Sequence, residues 1–163
     1  MLKPFATRTH EDMKTVLKNP DSDGPEVHYY MVRGGKQKRN ITIWETGFVG
    51  DEFIKTFGHY HIGDLDETYT FLEGEGVAVL QKRKEENGNI KNNELEYIYF
   101  IKVSAGDKIF IPSGTGHLVY NTGEFWLVTS DDSPVNFEEA DPVSLPGHAD
   151  YDSVGQTHGF GYY

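Results

Sequence analysis

The sequence predicts an all-β fold, a sandwich or small antiparallel jelly-roll barrel preceded by a short helix. From Val27 onward, short segments with alternating side chains recur, and each is closed by Gly, Pro, Asn or Asp. The 10 Tyr, 10 Phe and 2 Trp support this prediction because aromatic side chains suit strands. The close spacing of the strands disfavours a parallel α/β sheet, which needs a crossover connection between neighbouring strands.

One helix is expected close to the N-terminus, over residues 9–18. Thr9 is a suitable N-cap, and the acidic Glu11 and Asp12 fall in the first turn, where the helix dipole favours negative charge. Three apolar side chains then share one face of the helix: Met13, Val16 and Leu17. Pro20 ends the segment because proline cannot donate the next backbone hydrogen bond.

Short strands are expected after the turn at residues 21–25. They cover residues 27–32, 40–44, 53–60, 68–73, 77–82, 96–103, 108–111, 117–121 and 125–130. Residues 74–76 predict a tight hairpin, and the charged residues 82–93 predict a solvated tip. His10 and His28 belong to no motif and are expected at the surface or at a strand edge.

The chain carries 15 basic and 26 acidic residues, a formal net charge of −11. Such a surface repels a nucleic-acid backbone and an anionic membrane, so neither is an expected partner. The absence of cysteine excludes disulfides and cysteine-ligated zinc, and it favours a cytoplasmic location. The sequence shows no secretory signal pattern and no apolar run of about 20 residues, the length that a membrane-spanning helix needs.

A single domain over residues 1–163 is expected, since this length suits one hydrophobic core. The barrel would occupy about residues 26–130. The remaining segment, residues 131–163, is acidic, weakly periodic and contains Pro and Gly. It is expected to form a tail that packs on the barrel.

Two histidines, His59 and His61, are separated by one residue in a predicted strand. Because side chains alternate along a strand, both imidazoles project from the same face and can bind one metal ion. Glu67 adds a carboxylate, and His117 begins a later strand after a turn rich in Pro and Gly. A cluster held by hydrogen bonds without a metal is the alternative, but burying these four groups in that way would lower stability.

The spacing of these residues resembles two signatures of the cupin superfamily. The first signature is represented by His59, His61, Glu67 and Gly74, with a gap before the glutamate that is slightly longer than in many cupins. The second is represented by Gly106, Pro112, Gly114, His117 and Asn121. The resemblance implies the cupin double-stranded β-helix, a small antiparallel jelly-roll barrel, and this agrees with the fold predicted from periodicity.

Three neutral imidazoles and one carboxylate would fill four positions of an octahedral divalent ion and leave two for water or substrate oxygens. Mixed nitrogen and oxygen ligation suits Fe, Mn, Ni, Co or Zn, and ligand type does not choose among them. One divalent transition metal ion is therefore the expected cofactor.

The flanking residues resemble the archaeal-type glucose-6-phosphate isomerases within the cupins. The resemblance rests on Thr56-Phe-Gly-His-Tyr-His, Glu67-Thr-Tyr69, Asn40-Ile-Thr42 and, more loosely, His148-Ala-Asp-Tyr151. It implies a sugar phosphate substrate, interconverted between glucose 6-phosphate and fructose 6-phosphate, and a homodimer that pairs sheets across subunits. It assigns substrate contacts to Thr42, Thr56, Gly58, His148 and Tyr151.

An aldose–ketose conversion moves a proton between adjacent carbons, so it needs a base near C2 and polarisation of the two oxygens. Glu67 is the expected base. Tyr69 lies two residues further along the strand and faces the same side, so it is expected to hold Glu67 or to relay a proton. The alternative for Tyr69 is a barrel aromatic without a catalytic role. A hydride shift from C2 to C1 would need no carboxylate base, and the sequence leaves both routes open.

Two positions differ from the family pattern: Phe57 and Leu118 stand where relatives often carry a lysine and an arginine. An anionic substrate would then be held by backbone N–H groups and hydroxyls of residues 56–58. Lys55 or Arg33 is expected to help.

Thr56 lies three residues before His59, so a regular strand would point the two side chains to opposite faces. A β-bulge at Gly58 is expected to bring them to the same side, because glycine suits the strained residue of a bulge.

Two other functions fit the same residues. One is an Fe(II)-dependent cupin dioxygenase, which oxygen uptake with a small organic acid or thiol would reveal. The other is a non-catalytic sugar-binding cupin, which would bind tightly without turnover and contain almost no metal.

Overall fold

The computed structural model describes residues 6–33, 40–61 and 64–133, and most of them lie in antiparallel strands. The strands are β1 (Ala6–Thr9), β2 (Val27–Arg33), β3 (Asn40–Trp44), β4 (Phe48–Val49), β5 (Glu52–Phe53), β6 (Glu67–Glu73), β7 (Glu75–Glu86), β8 (Asn89–Ser104), β9 (Lys108–Ile111), β10 (Thr115–Asn121) and β11 (Leu127–Asp131). Helix α1 (His10–Met13) continues into a 3-10 turn (Lys14–Val16). The predicted all-β class with a short N-terminal helix is confirmed.

Two antiparallel sheets form the barrel. The larger has the order β1-β2-β3-β11-β6-β9 and the smaller the order β10-β7-β8, while β4 and β5 pair separately. Buried apolar side chains from both sheets belong to one core, among them Trp44, Phe71, Leu118 and Leu127. This double-sheet arrangement is the one that the cupin signatures imply. It encloses an interior between the sheets that is lined by their side chains.

The N-terminal helix begins where the sequence places it but is shorter. Thr9 and Asp12 form a reciprocal cap: Asp12 N donates to Thr9 Oγ1 over 3.2 Å, and Thr9 N donates to Asp12 Oδ2 over 2.9 Å. After Met13 the chain tightens into the 3-10 turn, and Leu17 is already extended. Strand β1, which precedes the helix, was not predicted because its polar residues show no alternation of apolar side chains.

The prediction of a strand over residues 53–60 is wrong in length. Only Glu52–Phe53 is strand, and beyond it the chain makes two isolated bridges, Lys55 with Tyr120 and His59 with His117. This segment therefore lies against β10 without forming a continuous ladder. Its position depends on a few backbone contacts and on its side chains.

The hairpin expected at residues 74–76 is also wrong. Strands β6 and β7 belong to different sheets, so the chain turns a corner between sheets at this point. Gly74 has φ +82°, and a Cβ there would lie 2.5 Å from Trp126 O. Glycine is needed because the backbone of Trp126, the residue just before β11, passes directly beside it.

The charged residues that were expected as a solvated tip form the arms of a long hairpin. Strands β7 and β8 continue to a two-residue turn in which Asn87 has φ +53° and Gly88 has φ +75°. Cross-strand pairs stabilise the exposed arms, for example Lys84 Nζ with Glu94 Oε2 at 2.9 Å. The tight turn at Asn87 and Gly88 therefore closes a hairpin where composition suggested a loop.

His28 is buried, and the expected surface position is wrong. Strand β1 skips this residue, since Arg8 pairs with Tyr29 and Thr9 with Val27. The Nε2 atom of His28 lies 3.1 Å from Nδ1 of His10. Burial, and then the charges of His10 and Lys55, lower the pKa of His28 to about 4.

A buried ion pair joins the N-terminal 3-10 turn to the segment after β5. The Lys55 ammonium bonds to Glu52 Oε1 and donates to Val16 O over 2.5 Å, while Lys18 N donates to Glu52 Oε2 over 3.0 Å. Burial lowers the pKa of Lys55, and Glu52 opposes that shift. Lys55 is fully enclosed, so the expectation that it helps to bind a phosphate is wrong.

Within the described residues, no helix is long and apolar enough to cross a membrane. His148 and Tyr151 lie outside the described residues, as does most of the expected tail. The extent of the domain over residues 1–163 stays a prediction.

Candidate metal centre

The structure brings the four predicted ligands to one point in the barrel interior. One donor atom from each of His59, His61, Glu67 and His117 lies within 4.8 Å of all the others. Donors about 2.1 Å from a divalent ion are at most about 4.2 Å apart, so adjustments of less than about 1 Å would complete a coordination sphere. His61, Glu67 and His117 are buried, and His59 is partly exposed.

Backbone pairing fixes two ligands that are far apart in sequence. His59 N donates to His117 O over 3.1 Å, and His117 N donates to His59 O over 3.0 Å. Thr56 N donates to Val119 O over 3.0 Å. Between these two pairs, residues 57 and 58 therefore lie opposite the single residue 118 of β10. Gly58, with φ +79°, lies in the longer side. The predicted bulge at Gly58 is confirmed.

Glu67 begins β6 and points its carboxylate between two imidazoles. Its Oε2 atom lies 3.2 Å from His117 Nε2 and 3.3 Å from His61 Nε2. Burial raises the pKa of Glu67, but the two imidazoles outweigh burial and hold that pKa well below its usual range. The carboxylate is therefore ionised, as a metal ligand or a base must be.

A backbone carbonyl orients His61. Its Nδ1 atom lies 3.2 Å from Leu65 O, so the ring donates its Nδ1 proton there and leaves the Nε2 lone pair for the cluster. Burial lowers the pKa of His61, and the nearby Glu67, Leu65 and Asp131 raise it by more.

The residues present fit a divalent metal ion. Within the described residues, Glu67 Oε2 faces His117 Nε2 at 3.2 Å and His61 Nε2 at 3.3 Å in a buried space. The contact between Glu67 Oε2 and His117 Nε2 does not have the geometry of a hydrogen bond, and a buried polar atom without one costs about 1–3 kcal/mol of stability. A cation at the centre of the cluster would satisfy both, and the set of three imidazoles and one carboxylate suits several first-row transition metals.

Tyr69 and Gly58 lie next to the cluster. The Tyr69 ring meets the His117 ring edge to face, with centroids 5.4 Å apart. Thr56 Oγ1 accepts a hydrogen bond from Val119 N over 3.0 Å, which leaves its own proton to donate. Thr42 is further away, since it lies on β3 opposite Thr129 and two strands from β6.

Two interior polar residues have no role assigned from the sequence: Asp131, and Asn40 of the Asn40-Ile-Thr42 motif. Both are buried, and Asn40 Nδ2 donates to Asp131 Oδ1 over 2.6 Å. A signal was present: Asp131 continues the alternation of the inward-facing Leu127 and Thr129 on β11.

The chain is similar to proteins of one enzyme family. A model of the family described as glucose-6-phosphate isomerase (GPI) matches residues 7–163. The glucose-6-phosphate isomerase of Thermococcus litoralis is 33% identical over 84 residues, and that of Pyrococcus abyssi (strain GE5 / Orsay) is 33% identical over 84 residues. These matches cover 51% of this chain but only 38% and 39% of the two relatives.

Solved structures give weaker matches. A predicted oxalate decarboxylase from Thermotoga maritima has a TM-score of 0.44 at 23% identity and covers 63% of this chain and 76% of its own. The cupin domain of CENP-C from Drosophila melanogaster has a TM-score of 0.46 at 13% identity and covers 72% and 79%. At these values, the structural matches carry no argument about activity.

Proposed function

Since the chain belongs to the glucose-6-phosphate isomerase family, we propose that it interconverts glucose 6-phosphate and fructose 6-phosphate with the help of a divalent metal ion. The observation that carries this proposal is the buried cluster of His59, His61, Glu67 and His117, whose donor atoms lie within 4.8 Å of one another. Three imidazoles and one carboxylate leave coordination positions for two adjacent sugar oxygens.

When bound, the metal ion would polarise the C1 and C2 oxygens of the open-chain sugar. Glu67 is ionised and enclosed, so it is the group that would take the proton from C2 and return it to C1. The proposal assigns to Tyr69 the role of orienting Glu67 or carrying a proton between the two oxygens, since its ring packs on His117. Fe, Mn, Ni, Co and Zn all suit the donor set.

We propose that the phosphate is bound by hydroxyls and backbone N–H groups, not by a buried lysine. Thr42, Thr56 and Gly58 are the described candidates, and His148 and Tyr151 are proposed from the family resemblance. Gly58 lacks a side chain and lies in a bulge, so its backbone can approach a ligand closely.

The experiment that tests this function is a turnover assay of protein loaded separately with each of the five metals. Wild type should convert both sugar phosphates, whereas His61→Ala should lose turnover by at least about 1,000-fold together with stoichiometric metal. His10→Gln, which changes a histidine outside the cluster, is the matched control and should retain both. No turnover by any loaded wild-type sample would contradict the proposal.

The route of hydrogen transfer can be separated by running the reaction in deuterated water. Deuterium at the transferred position would support Glu67 as the base. A product without deuterium would favour a hydride shift between C2 and C1, in which Glu67 serves only as a ligand.

We also propose a homodimer in the cytoplasm. Large apolar side chains are exposed on the barrel surface: Phe48, Leu72, Ile90, Tyr99, Phe100, Phe110, Phe125 and Trp126. These side chains are available to pack against a second copy of the chain, and the homodimer itself is proposed from the family resemblance. Light scattering after gel filtration should give twice the chain mass of 18.5 kDa.

A further inference from the structure

The inner face of the larger sheet carries a row of polar residues one step from Glu67. Tyr69 follows Glu67 by two residues on β6 and pairs with Asp131 on β11, which pairs in turn with Asn40 on β3. Two residues of strand span about 7 Å, so this row lies within the length of a six-carbon sugar phosphate bound at the cluster. The next row contains Thr129.

Hydrogen bonds hold the Asp131 carboxylate in one orientation. Its Oδ1 atom accepts from Asn40 Nδ2 over 2.6 Å, from Ser133 Oγ over 2.7 Å and from Ser133 N over 3.2 Å. Asp131 is only 6% exposed. The negative charge of Asp131 is one of the causes that raise the pKa of His61, so this carboxylate acts on the barrel interior.

Two residues near Asp131 have buried polar atoms without a hydrogen-bond partner in the described part of the chain. Within the described residues, Asn40 Oδ1 and Thr129 Oγ1 are buried and make no hydrogen bond. An amide oxygen and a hydroxyl can both accept a hydrogen bond, and Asp131 accepts only. Asp131 and Asn40 in this row, with Thr129 in the next, therefore offer acceptors, and the matching ligand groups are hydroxyl donors.

From these contacts we propose that Asp131, oriented by Asn40 and Ser133, determines specificity by accepting hydrogen bonds from the hydroxyls of the sugar chain between its carbonyl end and its phosphate. This inference rests on the proposed function for the choice of ligand. Since a carboxylate repels a phosphate, Asp131 also favours the orientation that keeps the phosphate away from this row.

The test compares two phosphate esters that cannot isomerise: D-glucitol 6-phosphate, which carries the hydroxyls, and hexyl phosphate, which lacks them. Binding to Mn²⁺-loaded protein is measured by calorimetry for wild type and Asp131→Asn, which keeps the shape and an oxygen acceptor. Asp132→Asn is the matched control, because this adjacent aspartate is exposed. Ser133→Ala is a second variant that loosens the carboxylate without removing it.

Asp131→Asn should lower the affinity for glucitol 6-phosphate roughly tenfold. The affinity for hexyl phosphate should stay unchanged or increase. Ser133→Ala should give a smaller loss with the same selectivity, and Asp132→Asn no loss. Equal weakening of both esters would show a merely structural role and overturn the inference, as would unchanged binding of glucitol 6-phosphate.

Failure of the inference is distinguishable from failure of the proposed function. If wild type isomerises glucose 6-phosphate but Asp131→Asn discriminates the two esters as wild type does, only the inference is wrong. If wild type shows no isomerisation yet the variant loses the preference for the hydroxylated ester, the activity is wrong and the binding role of Asp131 stands.

Discussion

Glu67 Oε2 lies 3.2 Å from His117 Nε2, although the two residues belong to strands of different sheets. The contact spans the barrel interior and makes the cluster depend on how the sheets face each other. Glu67→Gln keeps the shape of the side chain but removes its charge. We expect turnover to fall by at least about 100-fold, with weaker metal binding. Glu73→Gln, on the same strand but exposed, is the control, and equal activities of the two variants would contradict the assignment.

Metal removal should destabilise the barrel. A ligand that binds only the folded state stabilises it by about 2.7 kcal/mol at a concentration 100 times its dissociation constant. Chelation should therefore lower the melting temperature of wild type, and readdition of metal should restore it. His61→Ala should show little response to chelator, and a response equal to that of wild type would argue against His61 as a ligand.

Gly58→Ala should disturb the site and not only the backbone. A side chain at φ +79° is strained by about 1–2 kcal/mol, and the new Cβ would also lie 3.2 Å from Leu118 Cβ. Gly88→Ala is the control, because Gly88 has φ +75° but nothing within 4 Å of its added Cβ. We expect both variants to lose stability in denaturant titrations, and only Gly58→Ala to lose metal affinity. Equal metal affinities would show that the bulge tolerates a side chain.

Breaking the buried pair of Lys55 and Glu52 should be costly. Lys55→Met leaves the Glu52 carboxylate buried without its cation, a change that destabilises proteins by about 3–5 kcal/mol. Lys18→Met, which removes the exposed partner of Asp51, should cost less than about 1 kcal/mol. Urea unfolding measures both values, and similar losses for the two variants would show that burial does not strengthen the inner pair.

The free energy of unfolding should decrease at acidic pH because His28 becomes protonated. Its pKa is about 4 in the folded protein and 6.5 in the unfolded chain, so the unfolded chain binds the proton more tightly. The contribution of neutral His28 to the free energy of unfolding is fully present above about pH 6.5. It is lost as the pH falls towards 4, and the loss amounts to up to about 3 kcal/mol. His28→Gln should flatten the pH dependence between 4 and 6.5, whereas an unchanged slope would assign it to other groups. His10 and Lys55 face His28, so their variants belong in the same measurement.

The sequence by itself determined the class of fold and the membership of the cluster. Period-two alternation tells which neighbouring side chains share a face, and so it related His59 to His61 and Glu67 to Tyr69. The spacing of a second motif added His117. These are local rules, and they hold wherever the strands are placed.

Tertiary structure decided what depends on pairing between distant segments. Whether the chain at Gly74 forms a hairpin or changes sheet depends on which strands pair, and local pattern does not encode that choice. Lys55 points to Glu52, and His28 lies inside because β1 skips it. Asp131 and Asn40 meet only because β11 inserts between β3 and β6. Contacts across 91 positions of sequence arise from the global packing of the sheets, which residue spacing alone does not specify.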